Sequence, residues 1–326
     1  MVKFKQLHVA PPFMLKSGHL QTILGSFGRS RKILDSTQKI ISLSDGDQLC
    51  CEISQSNEWN SSDPTIVMVH GLGGSYKSLY LQRLVPRLVK AGYRTVRVNL
   101  RGCGSGQGLA RLSYHGGNSR DVLRVVRSLK NEFPHSNISL IGFSLGGNII
   151  LKLVGELGSA AQPLISHAIG VCPAIDLMNS AQLIQQKKNR VYQKYFMKSL
   201  CEQVKLHHQH FPDLPSIHIH QKMNLIEFDE KYTSVIWGFN GAFDYYEQSS
   251  SKYHLSNIQI PCDILYARND PVIDHRAISD ASWSDTTTLW CATNGGHMGF
   301  LSWSGRDYGL RWMDYQIMNI IQTTQS

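Results

Sequence analysis

Short apolar segments rich in β-branched residues alternate with amphipathic helical segments along most of this chain. Helical patterns run from Ser78 to Lys90, after Asn118, and from Leu145 to Leu157. Because strand-helix-strand units connect as right-handed crossovers, this alternation predicts an α/β fold with a mostly parallel central sheet flanked by helices. An antiparallel hairpin is predicted at residues 38–54, where two β-rich runs flank a turn at residues 45–47. The other predicted strands are TIVMV (65–69), YRTVRVNL (93–100), ISLIGF (138–143), HAIGVC (167–172), CDILYA (262–267) and TTLWCA (287–292).

The alternation is interrupted between residues 173 and 257. This stretch is rich in Gln, Lys, His and aromatic residues, and it has helical segments without a strong strand signal. After it the strand series resumes, and a terminal helix is predicted around residues 306–321. The simplest organisation is one α/β core with an insertion that covers the C-terminal ends of the strands. Residues 1–172 then form the first part of the core, 173–257 a helical cap, and 258–326 the second part of the core.

The composition excludes several classes of protein. With 42% hydrophobic and 17% charged residues, the chain is neither disordered nor collagen-like. No run approaches the roughly 18 apolar residues of a membrane-spanning helix, and the N-terminal segment lacks the continuous apolar core of a signal peptide. Seven cysteines without CxxC spacing favour reduced thiols over a disulfide framework or a zinc site. We therefore expect a soluble cytoplasmic protein, and the sequence leaves its oligomeric state open.

The positive charge of the chain is partly concentrated in the predicted cap. The net charge is +9, and residues 181–205 hold six Lys or Arg against Glu202 alone. A solvated helix face is the simpler interpretation, and contact with an anionic membrane surface is the alternative. No nucleic-acid partner is expected, because no recognised binding module accompanies the charge.

The GFSLG sequence at residues 142–146 is a candidate nucleophile elbow. It ends an apolar strand and opens a helix, which is the setting that this motif requires. A serine in such a tight turn needs glycines where strand and helix nearly touch, and the helix N-terminus favours developing negative charge. Ser144 is therefore the predicted catalytic nucleophile.

A serine nucleophile needs a base, and the base needs an orienting acid. After this elbow the expected chain order is Ser, acid, His. His297 lies in the glycine-flanked loop NGGHMG after the last predicted strand, and Asp270 lies in RNDP after the strand before it. These two residues complete the predicted triad, while Asp176 and Asp274 remain rival acids.

The oxyanion of such a reaction needs two N–H donors. We predict the backbone N–H groups of Leu145, next to the nucleophile, and of Leu72, in the HGLGG loop that follows TIVMV. His70 in that loop is expected to bond nearby backbone groups. The loop lacks the glycine order of a nucleotide-binding site, so no cofactor is expected.

Three further groups have alternative interpretations. The RGCGSG sequence at 101–106 is interpreted as shaping the rim of the site, and Cys103 is a poor candidate nucleophile. The YHGG sequence at 114–117 either forms a tight turn before the next helix or approaches the pocket. The His cluster at 207–210 is interpreted as a solvated patch, so no metal ligands are assigned. Aromatic residues of the insertion either line an acyl pocket or pack the insertion onto the sheet. These aromatics are Trp237, Phe239, Phe243, Tyr245 and Tyr246.

The order of these motifs resembles the YheT-like (AB hydrolase 4) group of α/β-hydrolases over residues 11–320. The N-terminal PPF and GHLQT sequences, HGLGGS, NLRGCGSG, YHGG, GFSLGGN, ARNDP and GGHMGF carry the resemblance, together with the insertion stretch EFDEKYTSVIWGFNGAFDYYEQSS. The resemblance implies an α/β-hydrolase fold and a triad of Ser144, Asp270 and His297. It also implies carboxylic ester hydrolysis, with medium-chain acyl esters or acyl transfer to alcohols in some members.

The sequence therefore predicts a serine hydrolase that cleaves short- to medium-chain carboxylic esters, from small-molecule or lipid substrates, through an acyl-enzyme. An acyl-alcohol transferase would use the same triad, because the two reactions differ only in how water is excluded. A non-catalytic ligand-binding protein with this fold is the third possibility, since fold alone does not fix function.

Overall fold

The computed structural model describes residues 2–28 and 34–325. Nine strands form one sheet in the order β1-β9-β8-β7-β6-β4-β5-β3-β2. Strands β2 and β3 form the predicted antiparallel hairpin, and β3 is antiparallel to β5, whereas all other neighbours are parallel. The strands are β1 (Lys3–Leu7), β2 (Thr37–Ser42), β3 (Gln48–Ser54), β4 (Thr65–Val69), β5 (Arg94–Val98), β6 (Ile138–Phe143), β7 (His167–Val171), β8 (Cys262–Ala267) and β9 (Thr287–Ala292).

Eleven α-helices are found among the described residues, on both faces of the sheet and above its C-terminal edge. They are α1 (Gly18–Ser26), α2 (Leu79–Lys90), α3 (Ser119–Glu132), α4 (Leu145–Leu157), α5 (Leu177–Gln185), α6 (Arg190–His210), α7 (Leu225–Phe228), α8 (Ser234–Trp237), α9 (Gly241–Ser249), α10 (His275–Ser279) and α11 (Trp312–Gln325). A π-helical turn at Asp229–Thr233 joins α7 to α8. Helix α11 starts later than the sequence predicted, because the chain first forms a β-bridge between Leu301 and Arg311.

The central strands are buried on both faces because helices cover both sides of the sheet. Every residue of β4, β5, β7 and β8 is buried, as expected for parallel strands that read as continuous apolar runs. Helices α3 and α4 pack on one face, and α2 and α11 on the other. The carboxyl ends of β4, β6, β8 and β9 therefore meet at one edge of the sheet, where the loops with the predicted site residues begin.

Helices α5 to α9 all lie between β7 and β8 in the chain. The chain thus leaves the sheet after β7, forms helices, and returns to the neighbouring strand β8. Across the described ranges, no helix combines the length and apolar character that crossing a lipid bilayer requires.

The N-terminal segment contains a strand and a helix that the sequence patterns did not reveal. Strand β1 extends the sheet by pairing in parallel with β9, although four of its five residues are exposed. Helix α1 buries Gln21, Thr22 and Gly25 and exposes Leu20 and Leu24. An exposed edge strand and a helix with polar residues inward both lack the usual apolar periodicity, which explains why neither was predicted.

Candidate active site

Ser144 lies in a strained turn between β6 and α4. Its backbone has φ 52° and ψ −114°, a conformation that is uncommon for residues other than glycine. The flanking glycines are required by close packing. A Cβ on Gly142 would lie 2.3 Å from the carbonyl oxygen of Gly146, and one on Gly146 would lie 2.4 Å from the carbonyl oxygen of Val69. The side chain of Ser144 is thereby held at the C-terminal edge of the sheet.

The structure brings Ser144, His297 and Asp270 into one hydrogen-bonded line. His297 Nε2 lies 3.0 Å from Ser144 Oγ, and His297 Nδ1 lies 2.9 Å from Asp270 Oδ2. The other oxygen of Asp270 accepts the backbone N–H groups of Val272 and Ile273 at 2.7 and 2.9 Å. Because a carboxylate only accepts hydrogen bonds, Nδ1 carries the imidazole proton and Nε2 is free to accept the serine proton.

The two rival acids have other partners. Asp176 caps helix α5 by accepting the Asn179 N–H at 3.0 Å, and it forms an ion pair with Lys252 at 2.7 Å. Asp274 caps α10 and forms an ion pair with Arg276. Both carboxylates stabilise helix termini, so the geometry leaves Asp270 as the partner of His297.

Two tyrosine hydroxyls hold the loop after β4. The N–H of Gly71 donates to Tyr80 Oη at 3.0 Å, and the N–H of Gly73 donates to Tyr114 Oη at 2.9 Å. Between them, the N–H of Leu72 has no hydrogen-bond partner among the described residues, and the same holds for the N–H of Leu145 at the start of α4. Both predicted oxyanion donors are thus unpaired N–H groups near Ser144.

His70 connects this loop to the next strand. Its Nε2 accepts the backbone N–H of Leu100 at 3.2 Å, so Nδ1 carries the proton and donates to the carbonyl oxygen of Gly71 at 2.8 Å. The ring is fully buried, and burial lowers the pKa of His70 to about 4. The neutral imidazole therefore bonds backbone groups, in the manner the sequence predicted.

We expect this buried imidazole to destabilise the protein as the pH falls. Below the unfolded-state pKa of about 6.5, the unfolded chain binds a proton that native His70 does not. The free energy of unfolding therefore decreases as the pH falls from that value toward 4. The decrease caused by His70 is about 2 kcal/mol between about pH 7 and about pH 5. Urea unfolding at both pH values should therefore show a smaller loss for His70→Asn than for the unsubstituted protein.

The exposed His135 is the matched control for this measurement. His135→Asn should lose as much stability between the two pH values as the unsubstituted protein. Equal losses in the His70 and His135 variants would contradict the role assigned to the buried ring.

The loop that carries His297 is held by residues that sequence reasoning did not single out. The N–H of His297 donates to Thr22 Oγ1 at 2.8 Å, and the Thr22 hydroxyl donates to the carbonyl oxygen of Gly18 at 2.7 Å. Asn269 Oδ1 accepts the N–H groups of Gly295 and Gly296 at 2.9 and 3.0 Å. The polar buried face of α1 therefore positions the imidazole. The GHLQT resemblance was the only sequence signal for it.

A buried thiol lies beside the acid of the hydrogen-bonded line. Ligand atoms of Cys172, Asp270 and His297 all lie within 4.8 Å of one another. Burial, together with the carboxylate of Asp270, raises the pKa of the Cys172 thiol well above its usual range. Since metals bind the thiolate, a thiol that keeps its proton suits hydrogen bonding to Asp270 better than metal ligation.

Backbone strain is concentrated around these groups. In residues 2–28 and 34–325, positive φ at a non-glycine residue occurs only at Ser144, Cys172, Met298 and Phe300. These residues belong to the nucleophile turn, the end of β7 and the His297 loop. Strained conformations persist only where the surrounding structure imposes them, and they cluster at functional sites.

A mainly apolar pocket opens onto Ser144. Its empty volume is about 1020 Å³, including the part open to solvent, and Ser144, Leu72 and Leu145 lie in its wall. Helices α5, α6 and α7 contribute many of the apolar side chains that line it. Among their lining side chains are Leu177, Ala181, Ile184, Leu200, Val204 and Leu225. A pocket of this size and character suits an apolar ligand group.

Some of the remaining candidate residues line this pocket, and others pack against residues of its wall or are exposed. Tyr245 and Tyr246 line the pocket, whereas Phe243 is 66% exposed. Trp237 and Phe239 pack against the ring of His115, which lines the pocket with the rest of its YHG sequence. His207 was interpreted as part of a solvated patch, but it is buried in the pocket wall and bonds the carbonyl oxygen of Arg111 at 3.0 Å.

One buried carboxyl group in the pocket wall was not anticipated. Asp229 accepts hydrogen bonds from Thr233 Oγ1 and Tyr246 Oη, both at 2.6 Å. Burial raises its pKa to about 6. The carboxyl group is a further polar group in a mainly apolar surface.

Comparison with known proteins places this geometry in context. Residues 64–302 match the family model described as the alpha/beta hydrolase fold. The candidate esterase YheT of Escherichia coli strain K12 is 30% identical, over 87% of this chain and 84% of that protein. The monoacylglycerol lipase of Saccharomyces cerevisiae is 29% identical, over 78% of this chain and 58% of its own length. Human phospholipase ABHD3 is 25% identical, over 87% of this chain and 71% of its own length.

Solved structures share the fold at low sequence identity. An esterase of Pyrococcus furiosus, Pf2001, aligns over 89% of this chain and 93% of its own with a TM-score of 0.58 and 15% identity. The Butyrivibrio proteoclasticus protein Est1E, with ferulic acid bound, aligns over 88% of this chain and 98% of its own, with a TM-score of 0.57 and 13% identity. At these identities the likeness concerns the fold alone.

Proposed function

The chain belongs to the α/β-hydrolase fold family and to its YheT-like (AB hydrolase 4) branch, and on this premise we propose that it is a serine esterase. The observation that carries the proposal is the hydrogen-bonded line from Asp270 through His297 to Ser144, which ends beside two unpaired N–H groups. Relatives whose names include esterase, monoacylglycerol lipase and phospholipase support ester cleavage.

In the proposed reaction, Ser144 Oγ attacks the carbonyl carbon of the ester while His297 Nε2 takes the serine proton. The carbonyl electron pair moves to oxygen, where the N–H groups of Leu72 and Leu145 stabilise the charge. As the intermediate collapses, the bond to the alcohol oxygen breaks and His297 returns its proton to that leaving group. Asp270 orients the imidazole and stabilises its cation.

The second half of the reaction releases the acyl group. Water attacks the acyl-serine ester while His297 Nε2 accepts a proton from it, and the Leu72 and Leu145 N–H groups again hold the oxyanion. Collapse restores Ser144, which recovers its proton from His297, and frees the carboxylic acid. None of these steps requires a redox change.

The proposed substrates are small-molecule or lipid esters with a short- to medium-chain acyl group. The apolar pocket beside Ser144 supports this substrate class, because it offers an apolar chain a surface shielded from water. We further propose that residues 173–257 act as a helical cap, since Leu177, Leu200 and Leu225 from this segment build much of that surface.

A series of p-nitrophenyl esters with increasing acyl length tests the proposal. We expect hydrolysis, with kcat/KM rising with chain length until the acyl chain fills the pocket and falling beyond it. Product analysis with glycerol present should give mainly free acid, and mainly acylglycerol would indicate an acyltransferase instead. A fluorophosphonate probe that fails to label Ser144 would indicate a non-catalytic binding protein.

The hydroxyl of Thr22 should affect turnover through the position of His297. Thr22→Val removes the acceptor for the His297 N–H while keeping the side-chain volume. Because small misplacements of a catalytic group are costly, we expect kcat to fall by about tenfold with little change in KM. Steady-state kinetics on a p-nitrophenyl ester measures both constants.

Thr22→Ser is the matched variant, because it retains the hydroxyl and should recover most of the turnover. Equal kcat values for the Val and unsubstituted forms would show that α1 does not position the imidazole. A similar loss in both variants would show that the hydroxyl alone does not account for the effect, because Val retains the methyl group and Ser retains the hydroxyl.

A further inference from the structure

Helix α1 exposes an apolar stripe to solvent. Leu20, Leu24 and Phe27 recur at i, i+4 and i+7, and they are 43%, 40% and 64% exposed. Just before the helix, Phe13 and Met14 are each 83% exposed. Five exposed large apolar side chains within residues 13–27 exceed the scattered single ones of an ordinary solvated face and indicate an interaction surface.

The segment around this stripe contains no negative charge. The first acidic residue of the chain is Asp35, so residues 1–34 hold Lys and Arg but no Asp or Glu. Lys16 lies over the ring of Phe13, 4.9 Å from its centroid. An exposed apolar segment whose charged residues are all cations favours an anionic partner.

The start of helix α6 adjoins this segment and has the same character. His19 Nδ1 lies 3.0 Å from the hydroxyl of Tyr192, and the two rings stack. On either side of Tyr192, Val191 is 61% and Tyr195 is 65% exposed. No acidic residue occurs between Asp176 and Glu202.

Five cations accompany these exposed apolar residues on α6 and the turn before it. All five are exposed, and within the described part of the chain none forms a salt bridge. They are Lys187, Lys188, Arg190, Lys194 and Lys198.

We propose that residues 13–27 and 187–198 together form a docking surface for a bilayer rich in anionic phospholipid, here called the α1–α6 surface. Its cations match the headgroup charge, and its exposed aromatic and aliphatic side chains match the acyl boundary beneath the headgroups. A polyanion such as nucleic acid would leave the apolar stripe uncovered. A second copy of the chain would oppose like charges.

The α1–α6 surface adjoins the elements that build the candidate active site. The inward face of α6 places Phe196 and Leu200 in the pocket wall, and the inward face of α1 holds the His297 loop through Thr22. A bilayer docked on the outer faces would lie next to the pocket that receives an acyl chain.

Co-sedimentation with vesicles tests the proposal without reference to catalysis. We expect the full chain to bind vesicles of equal parts phosphatidylglycerol and phosphatidylcholine, and to bind pure phosphatidylcholine far more weakly. Lys194→Gln/Lys198→Gln should weaken binding to the anionic vesicles by at least about tenfold. Phe13→Ser/Met14→Ser should weaken it as well, and more visibly at high salt, where charge attraction is screened.

The matched control is Lys90→Gln/Arg127→Gln, which removes the same charge from exposed positions on α2 and α3. It should bind like the unsubstituted protein. Equal weakening by the control, or no binding of the unsubstituted protein to anionic vesicles, would overturn the proposal. So would a dimer in analytical ultracentrifugation that Phe13→Ser/Met14→Ser dissociates, because a second copy would then cover the stripe. Circular dichroism verifies that each variant is folded.

Discussion

Replacing Ser144 with alanine should reduce ester hydrolysis by about four to six orders of magnitude in kcat. The substitution removes the oxygen proposed to form the acyl-enzyme, and the residual rate would then depend on the proposed oxyanion donors and on substrate binding alone. The expected loss greatly exceeds any effect on packing, because only one oxygen atom is removed from a side chain that is 8% exposed. Initial rates with a p-nitrophenyl ester, on protein freed of host esterases, measure it.

Ser180 provides the control for this experiment. It lines the same pocket, is equally buried, and its hydroxyl donates to the carbonyl oxygen of Asp176 at 2.9 Å. Ser180→Ala should therefore keep kcat within a few-fold of the unsubstituted value. If the Ser144 and Ser180 variants retained similar activity, Ser144 would not be the nucleophile.

Asp270→Asn should lower kcat by about three to four orders of magnitude. An amide at this position can present its NH₂ group to Nδ1, which favours the imidazole tautomer with the proton on Nε2. His297 then cannot accept the serine proton, a change that costs about 10⁴ in kcat in an analogous triad. The same kinetic assay, followed over pH, measures the loss of turnover.

Asp176 tests whether the effect is specific to the acid beside His297. Asp176→Asn removes the charge that pairs with Lys252 but leaves a side chain that can still cap α5. We therefore expect a loss of at most about 1 kcal/mol in unfolding free energy, with turnover largely kept. A large loss of kcat in the Asp176 variant together with an active Asp270 variant would reverse the assignment of the acid.

The sequence predicted the sheet and the site loops because both depend on local patterns. A buried parallel strand reads as a short apolar run, and the GFSLG turn after β6 needs glycines on both sides of its serine. Asp270 and His297 were found because each follows a strand, and parallel strands end at one edge of the sheet. Their catalytic roles remain predictions for the experiments above.

Contacts between distant segments were not predictable in the same way. Thr22 supports His297 across 275 residues of sequence, and Cys172 approaches Asp270 only because β7 and β8 are neighbours in the sheet. Helix α1 also escaped prediction, because Leu20 and Leu24 are exposed whereas Gln21 and Thr22 are buried. A prediction that takes apolar residues as buried places the wrong face of such a helix against the protein.

The hydroxyl of Tyr114 links the loop after β4 to helix α6, which limits how helices from a relative can replace those of this chain. It accepts the N–H of Gly73, which fixes the loop of Leu72, and it donates to Gln203 Oε1 on α6 at 3.3 Å. The helices between β7 and β8 therefore share a contact with the loop of Leu72, so they are not a structurally independent module. A chimera that carries another relative's helices on this sheet should therefore keep an acceptor for the Tyr114 hydroxyl at position 203, so that the loop of Leu72 retains this contact.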